Sequence, residues 1–250
     1  MNALLNVVVL HRIPGPGNDP FAVWERCCPR ADTLALFGGP PPEFERLPHH
    51  PRILAPGERI RTVDHQRQLR NPLEAYGALR AWLRDKPYDL LHIADYDLLP
   101  LRADYFDLLL RRRDAEDADL LVFSAARVDG TSNPMYLGQC GDPRFHAFFR
   151  SVSVRENKAV VLNVLGAGML WTREAFAAVS ALDEPFPMHG EEYLPTLAHH
   201  LGFRVRAIPD QSQFAYALTA RPESARRAGA WVLHPVKAWE GDWRLSRSAD

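Results

Sequence analysis

Two stretches of the chain, Leu4 to Leu10 and Leu90 to Ala94, are apolar almost without interruption, broken only by Asn6 and His92. Apolar runs of this length bounded by turn signals read as buried strands. Between them lie two helix starts of one kind. Asp19-Pro20 opens a helix through Cys27, with Asp as N-cap and Pro at the first helical position. Asn71-Pro72 opens another that runs to about Asp85, with Leu73, Tyr76, Leu79, Trp82 and Leu83 on one stripe. Strands also fall at Thr33 to Phe37 and Arg52 to Ala55, and Pro87 ends the long helix before the strand Tyr88 to Ala94. Strand, helix, strand in this order predicts an α/β chain with a mixed, mostly parallel sheet flanked by helices.

The second half continues the pattern. Helices are expected at Arg102 to Ala115, Phe145 to Val152, Arg173 to Leu182 (capped by Thr172), Glu191-Glu192 through Leu201, and Pro222 to Ala228. Strands are expected at Leu120 to Phe123, Ala159 to Leu165, Met169 to Trp171, Val205 to Ile208, Gln213 to Leu218 and Trp231 to Leu233. Ser124 to Arg144 reads as a long loop, of the kind that is often functional. Pro195, tolerated in a helix's first turn, places Glu191 and Glu192 at or just before a helix N-terminus. At 250 residues this is one domain, 1–243, with a polar tail over 244–250.

A formal net charge of −1 gives no electrostatic reason to expect nucleic acid. The three cysteines, Cys27, Cys28 and Cys140, have no zinc spacing, and the adjacent pair does not suit a mutual bond. Met1 to Val7 has no basic region or cleavage site of signal-peptide type. No apolar run reaches the roughly 20 residues needed to span a bilayer. A reduced, cytoplasmic setting is therefore expected. His11 to Pro20 lacks a phosphate-loop signature, and Gly15 and Gly17 enclose Pro16, which spoils a dinucleotide fingerprint.

The chemistry concentrates where the run Leu90 to Ala94 ends in Asp95-Tyr96-Asp97. Carboxylates at the C-terminal mouth of a strand stand where open α/β sheets bind ligands. Asp-x-Asp there supplies hard oxygen ligands for Mg²⁺ or Mn²⁺, ions that also bind phosphate oxygens. Taken alone, the pair is equally a strand end and a helix cap, since Asp is a common turn residue.

Three patterns in order resemble the nucleotide-diphospho-sugar transferase superfamily, the glycosyltransferases of GT-A fold. Asp95-Tyr96-Asp97 is similar to the family's Asp-x-Asp. Gly166-Ala167-Gly168-Met169-Leu170-Trp171-Thr172 is similar to its Gly-rich strand-to-helix segment, followed by Gly190-Glu191-Glu192 where the family has Glu-Asp at a helix start. His234 follows a late strand, where many members place a further metal ligand. The resemblance spans Leu4 to Lys237, with Glu-Glu as a departure and no recognisable nucleotide contact on the first strand. It implies a GT-A type Rossmann-like sheet and metal-dependent transfer of a sugar from a nucleotide-diphosphate donor to a hydroxyl acceptor, with inversion. It also implies Asp97, Asp95 and His234 as ligands of Mn²⁺ or Mg²⁺. Asp95, His11, Arg67, Arg70, Asn71 and Lys237 are its nucleotide-side contacts. Glu192 is its base, and Glu191 its contact to acceptor hydroxyls.

Each has a plainer reading: a hydrogen-bonded His234 beside Pro235, a solvated Lys237, a basic turn at Arg67 to Asn71, and glutamates that merely favour a helix N-terminus. The helix dipole also lowers a carboxylate pKa, which does not help a base. Gly190 is expected to let the backbone approach closely. Trp171, Tyr136 and Phe145 offer sugar-stacking faces or core packing. Three rivals remain: a GT-A-like domain that binds without turnover, a haloacid-dehalogenase-like phosphatase, and a sugar nucleotidyltransferase. The phosphatase has its Asp-x-Asp on the first strand, and the nucleotidyltransferase carries a Gly-rich basic loop there.

Overall fold

A parallel strand covered on both faces has no polar side to present, so its sequence is continuous rather than alternating. The strand β1 (Leu4–Leu10) shows the consequence. In the computed structural model, which describes residues 3–10, 12–13, 19–47, 51–54, 75–182, 189–217 and 221–236, β1 lies inside a seven-stranded sheet. It pairs in parallel with β2 (Asp32–Phe37), and β2 pairs in parallel with β3 (Arg52–Leu54) at the sheet edge. On its other side β1 pairs in parallel with β4 (Leu90–Asp95).

Beyond β4 come three shorter strands: β6 (Leu120–Val122), β9 (Gly168–Thr172) and β10 (Val205–Ala207). The sheet order is β10-β6-β9-β4-β1-β2-β3. Only β9 runs against the rest, pairing antiparallel with both β4 and β6. Its N-terminal end therefore lies on the edge where β4 and β6 finish. The mixed, mostly parallel α/β architecture is the one expected from the sequence. Two ribbons sit outside the sheet: β5 (Leu99–Pro100) with β11 (Val232–Leu233), and β7 (Ala125–Arg127) with β8 (Leu162–Val164).

Alternate residues of β4 feed two cores. Leu90 and Ala94 point into a cluster with Trp24, Tyr105, Phe106 and Leu109. These come from α1 (Pro20–Cys27) and α4 (Tyr105–Glu116). Leu91 and Ile93 point the other way, into a cluster with Leu79, Phe149, Phe176 and Leu197. Those come from a helix over 75–83 (α3), α6 (Pro143–Val152), α7 (Arg173–Ser180) and α8 (Gly190–His200). The cap reading holds at α1: Asp19 Oδ1 accepts the Phe21 amide at 2.9 Å and the Ala22 amide at 3.3 Å. The start of α3 at Asn71-Pro72 lies outside the described residues.

Three expectations are corrected. The segment Ser124 to Arg144 is not a continuous loop, because it carries β7 and α5 (Pro134–Cys140). Asn133-Pro134 is the same cap-plus-Pro signal as Asp19-Pro20, and Asn133 Oδ1 accepts the Met135 amide at 2.9 Å and the Tyr136 amide at 3.1 Å. The Pro-rich patch after Gly39, for which no element was expected, opens a short helix, α2 (Pro41–Glu45). The strand expected at Gln213 to Leu218 is instead a turn, Pro209–Gln211, leading into α9 (Ser212–Ala215); Leu218 lies outside the described residues. Its backbone bonds go to the segment at His234 rather than to a sheet edge. Pro195 is the sixth residue of α8, one turn deeper than expected, so its missing N–H leaves the Glu191 carbonyl without that helical donor. The glutamates still occupy the first turn of α8.

A candidate metal centre and a carboxylate pair

The chain lays down β1, β2 and β3 outward in one direction, then returns to the other side of β1 as β4. That reversal makes the crevice beyond the carboxyl ends of β1 and β4 the topological switch point, where open α/β sheets take ligands. Asp95 is the last residue of β4. The chain turns at once: the Leu98 amide donates to the Asp95 carbonyl at 3.0 Å. Asp97 sits in that turn, 3% exposed, and the Asp95 side chain is half exposed.

The late histidine arrives through the β5–β11 ribbon. The antiparallel register pairs Leu99 with Leu233 and Pro100 with Val232, so the residue after β11, His234, comes beside the residues before β5, the Asp turn. Two further bonds pin it, from the Val236 amide to the Asp97 carbonyl at 2.9 Å and from the Ala217 amide to the His234 carbonyl at 2.8 Å. His234 Nε2 stands 3.3 Å from Asp97 Oδ1 and 3.9 Å from Asp95 Oδ2. The structure thus brings Asp95, Asp97 and His234 together at one turn.

The other ring nitrogen settles the tautomer. His234 Nδ1 donates to the Ala215 carbonyl at 2.9 Å, leaving Nε2 aimed at the carboxylates. Burial lowers the His234 pKa, but the Asp97 contact and the charges of Asp95 and Asp97 outweigh it and raise it overall. One ligand atom from each residue lies within 4.8 Å of the others. Ions with bonds of about 2.0–2.2 Å place their ligands roughly 3–4.4 Å apart, so the set closes around one ion with a small side-chain shift. The fixed Nδ1–H is the outer bond that orients a ligating imidazole.

The glutamates approach the same edge. The Asp95 amide donates to the Ala167 carbonyl at 3.2 Å, and the neighbouring Gly166 amide donates to Glu191 Oε1 at 2.9 Å. Two hydrogen bonds thus link α8 to the end of β4. Close approach is needed at Gly166 and Gly168. A Cβ on Gly166 would stand 3.2 Å from Glu191 Oε1, and one on Gly168 would stand 2.8 Å from Leu98 Cδ2 and 3.1 Å from Phe123. At Gly190, where close approach was expected, a Cβ would meet nothing within 4 Å among the described residues.

Glu191 and Glu192 differ sharply. Glu191 is partly exposed, holds the Gly166 amide and has His189 Nδ1 3.8 Å from its other oxygen. Glu192 is fully buried, and among the described residues neither of its oxygens has a hydrogen-bond partner. Burial first, and the Glu191 charge second, push its pKa up to about 7. The lowering expected from the helix dipole is thus overridden by desolvation.

His11, Arg67, Arg70, Asn71 and Lys237 lie outside the described residues. Trp171 and Phe145 are core residues at 0% exposure, and Tyr136 packs on Phe145 with ring centroids 6.3 Å apart. None of the first two offers a free stacking face. Two residues the sequence reading did not single out stand at the site. The Arg12 guanidinium lies 5.8 Å from the ring of Tyr96, between the two aspartates. Tyr216, 63% exposed, sits between the two residues that bond His234. Arg12 follows β1 in a segment without a phosphate-loop signature, and Tyr216 carries no sequence signal.

No protein-family model matches the sequence, and no curated protein matches it. Among solved structures, the chain is similar to the bifunctional IspDF from Campylobacter jejuni (10% identity, TM-score 0.44), covering 91% of this chain and 54% of that one. It therefore spans about half of that protein. It is also similar to a putative glucose-1-phosphate thymidylyltransferase from Bacillus anthracis (9% identity, TM-score 0.45, 82% and 86% covered). A third is a CMP:2-keto-3-deoxy-manno-octonic acid synthetase complexed with CTP (13% identity, TM-score 0.44, 82% and 89% covered). Likenesses this distant carry no argument about substrate or reaction.

Proposed function

We propose that the chain is a metal-dependent glycosyltransferase of GT-A type, moving a sugar from a nucleotide-diphosphate donor to an acceptor hydroxyl with inversion. The observation that carries this reading is the convergence of Asp95, Asp97 and His234 at the switch point, with the His234 tautomer fixed by Ala215. The donor set suits Mn²⁺ better than Mg²⁺, since Mg²⁺ keeps to oxygen and imidazole suits transition ions. The ion's contribution is to neutralise the charge that grows on the leaving diphosphate. Asp97, buried and pinned through its carbonyl, would hold the ion as its fixed ligand, and Asp95, half exposed, would reach the ion or the nucleotide. Arg12 supplies a second positive charge on the phosphate side.

In the transfer the acceptor oxygen bonds to the anomeric carbon, the bond from that carbon to the phosphate oxygen breaks, and the hydroxyl proton passes to Glu192. A carboxylate with a pKa near 7 suits that task at neutral pH. Because its oxygens are buried, the role requires the first turn of α8 to open to the acceptor. Glu191, occupied by the Gly166 amide, holds that turn in register and presents its exposed side to acceptor hydroxyls.

The test is a thermal-shift screen of UDP-, GDP- and dTDP-sugars with and without Mn²⁺. A donor at a hundred times its Kd stabilises by about 2.7 kcal/mol, several degrees in Tm. One donor is expected to stand out, only with metal, and Asp97→Asn is expected to abolish its effect. With that donor, Glu192→Gln is expected to cut turnover by roughly two to four orders of magnitude with donor affinity intact. Stabilisation by no sugar nucleotide, or equal stabilisation without metal, overturns the reading. A product that keeps the donor's anomeric configuration overturns inversion and the base assignment.

A further inference from the structure

Away from the metal cluster, a cleft of about 640 Å³ opens between the end of α1, the approach to α4 and α10 (Pro222–Arg227). Its size is in the range of small-molecule sites. Four guanidinium groups line it, those of Arg26, Arg30, Arg102 and Arg226, against two carboxylates, Asp104 and Asp107. Arg102 is engaged by Asp104 in a bidentate pair, with Nε to Oδ1 at 2.8 Å and Nη2 to Oδ2 at 2.9 Å. Among the described residues, the other charged side chains of the lining are the guanidinium groups of Arg26, Arg30 and Arg226 and the carboxylate of Asp107.

The floor is apolar. Leu101, Phe106 and Ala230 are 8% exposed or less. Cys27 and Cys28 complete it as uncharged groups: burial pushes the Cys27 thiol up to about 12 and Cys28 higher still. Arg26 and Arg226 oppose that rise at Cys27 without cancelling it. Guanidinium forks match the geometry of carboxylate and phosphate oxygens. A ligand with both an oxyanion and an apolar body matches both parts of this lining.

The geometry points to a second binding site here, for a small organic anion whose oxyanion meets Arg26, Arg30 and Arg226 and whose apolar body covers Leu101, Phe106 and Ala230. The site is separate from the proposed donor site, since none of the metal-cluster residues lines it. Carboxylate and phosphate esters share the required chemistry, and the test distinguishes them.

The experiment is calorimetric titration of the full chain in EDTA at low salt, which removes any metal-borne anion site. The probes are phenyl phosphate, benzoate, inorganic phosphate and benzyl alcohol. Phenyl phosphate or benzoate is expected to bind at one site, about tenfold or more tighter than inorganic phosphate or benzyl alcohol, and the tighter of the two names the oxyanion. Arg26→Ser with Arg226→Ser is expected to weaken it about tenfold or more. Arg30→Gln, at an exposed position, gives a smaller loss in the same direction and guards against misfolding of the double variant. Asp97→Asn is expected to titrate as the native chain. No binding of either aromatic anion at millimolar concentration, unchanged affinity in the arginine variants, or loss in Asp97→Asn overturns the site.

Discussion

His92 shows how a polar group is kept inside a strand that must be apolar on both faces. Its Nδ1 lies 2.8 Å from Asn6 Oδ1 on β1 and its Nε2 lies 2.9 Å from the Tyr105 hydroxyl on α4. Burial lowers its pKa to about 3, so the ring is neutral, with Nδ1 donating and Nε2 accepting. His92→Phe keeps the ring but orphans two buried groups, at an expected cost of about 2–4 kcal/mol in urea unfolding. The pH dependence has a definite sign. The unfolded chain takes up a proton at His92 below about 6.5, which the folded chain refuses until about 3. Stability is thus lost as pH falls through that window, and His92→Phe is expected to show a shallower acid limb. Glu192 works in the opposite sense. Its folded pKa of about 7 exceeds the ordinary 4.5, so the folded chain holds a proton that the unfolded chain releases. Stability falls as pH rises from about 4.5 to 7 and stays reduced above it. Glu192→Gln is expected to raise Tm at pH 8 by a few degrees, on the order expected for such a shift, and to converge on the native value near pH 4.5. A native-like pH slope in Glu192→Gln removes Glu192 as the titrating group.

Among the elements, the turn before β9 and the β5–β11 ribbon do most to shape the site. β9 runs antiparallel, so its first residue lies beside the last residues of β4, and Ala94 pairs with Gly168. At that crossing Gly168 faces Leu98, inside the aspartate turn, and Phe123. A methyl group there has no space, because a Cβ 2.8 Å from Leu98 Cδ2 forces the turn to shift. Gly168→Ala is therefore expected to cost about 1–3 kcal/mol, the range for overpacking. It is also expected to weaken Mn²⁺ binding by displacing Asp97. Denaturant unfolding and a metal titration on the same variant check both; lost stability with unchanged metal affinity separates the turn from the cluster. The ribbon is only two residues long on each strand, yet its register brings His234 to the Asp turn, where backbone bonds to Asp97, Phe214 and Ala217 hold its segment.

For the molecule as a whole, the switch point joins residues from two distant parts of the chain, Asp95 with Asp97 and His234, and bound cation is expected to report on that union. Mn²⁺ is expected to raise the Tm of the native chain, with Asp97→Asn and His234→Ala each losing most of the rise. An equal rise in all three places the ion elsewhere. Among the described residues no helix is long and apolar enough to cross a membrane. The sequence by itself determined the strands and helices whose burial or capping is local. β1 was readable to its ends because both faces are covered, and α1 because Asp19 and Pro20 act on adjacent residues. The Asp-x-Asp was visible because a strand end and its turn are contiguous. Only the tertiary structure decided the rest. The pKa of Glu192 depends on what surrounds it, not on its place at a helix start. Trp171 and Phe145 became core because the sheet's second face needed filling. Gly166 and Gly168 became the close contacts, and Gly190 did not, because approach between elements is set by packing. His234 met Asp97 across more than a hundred residues of chain because two short strands pair in one register, which no local pattern encodes.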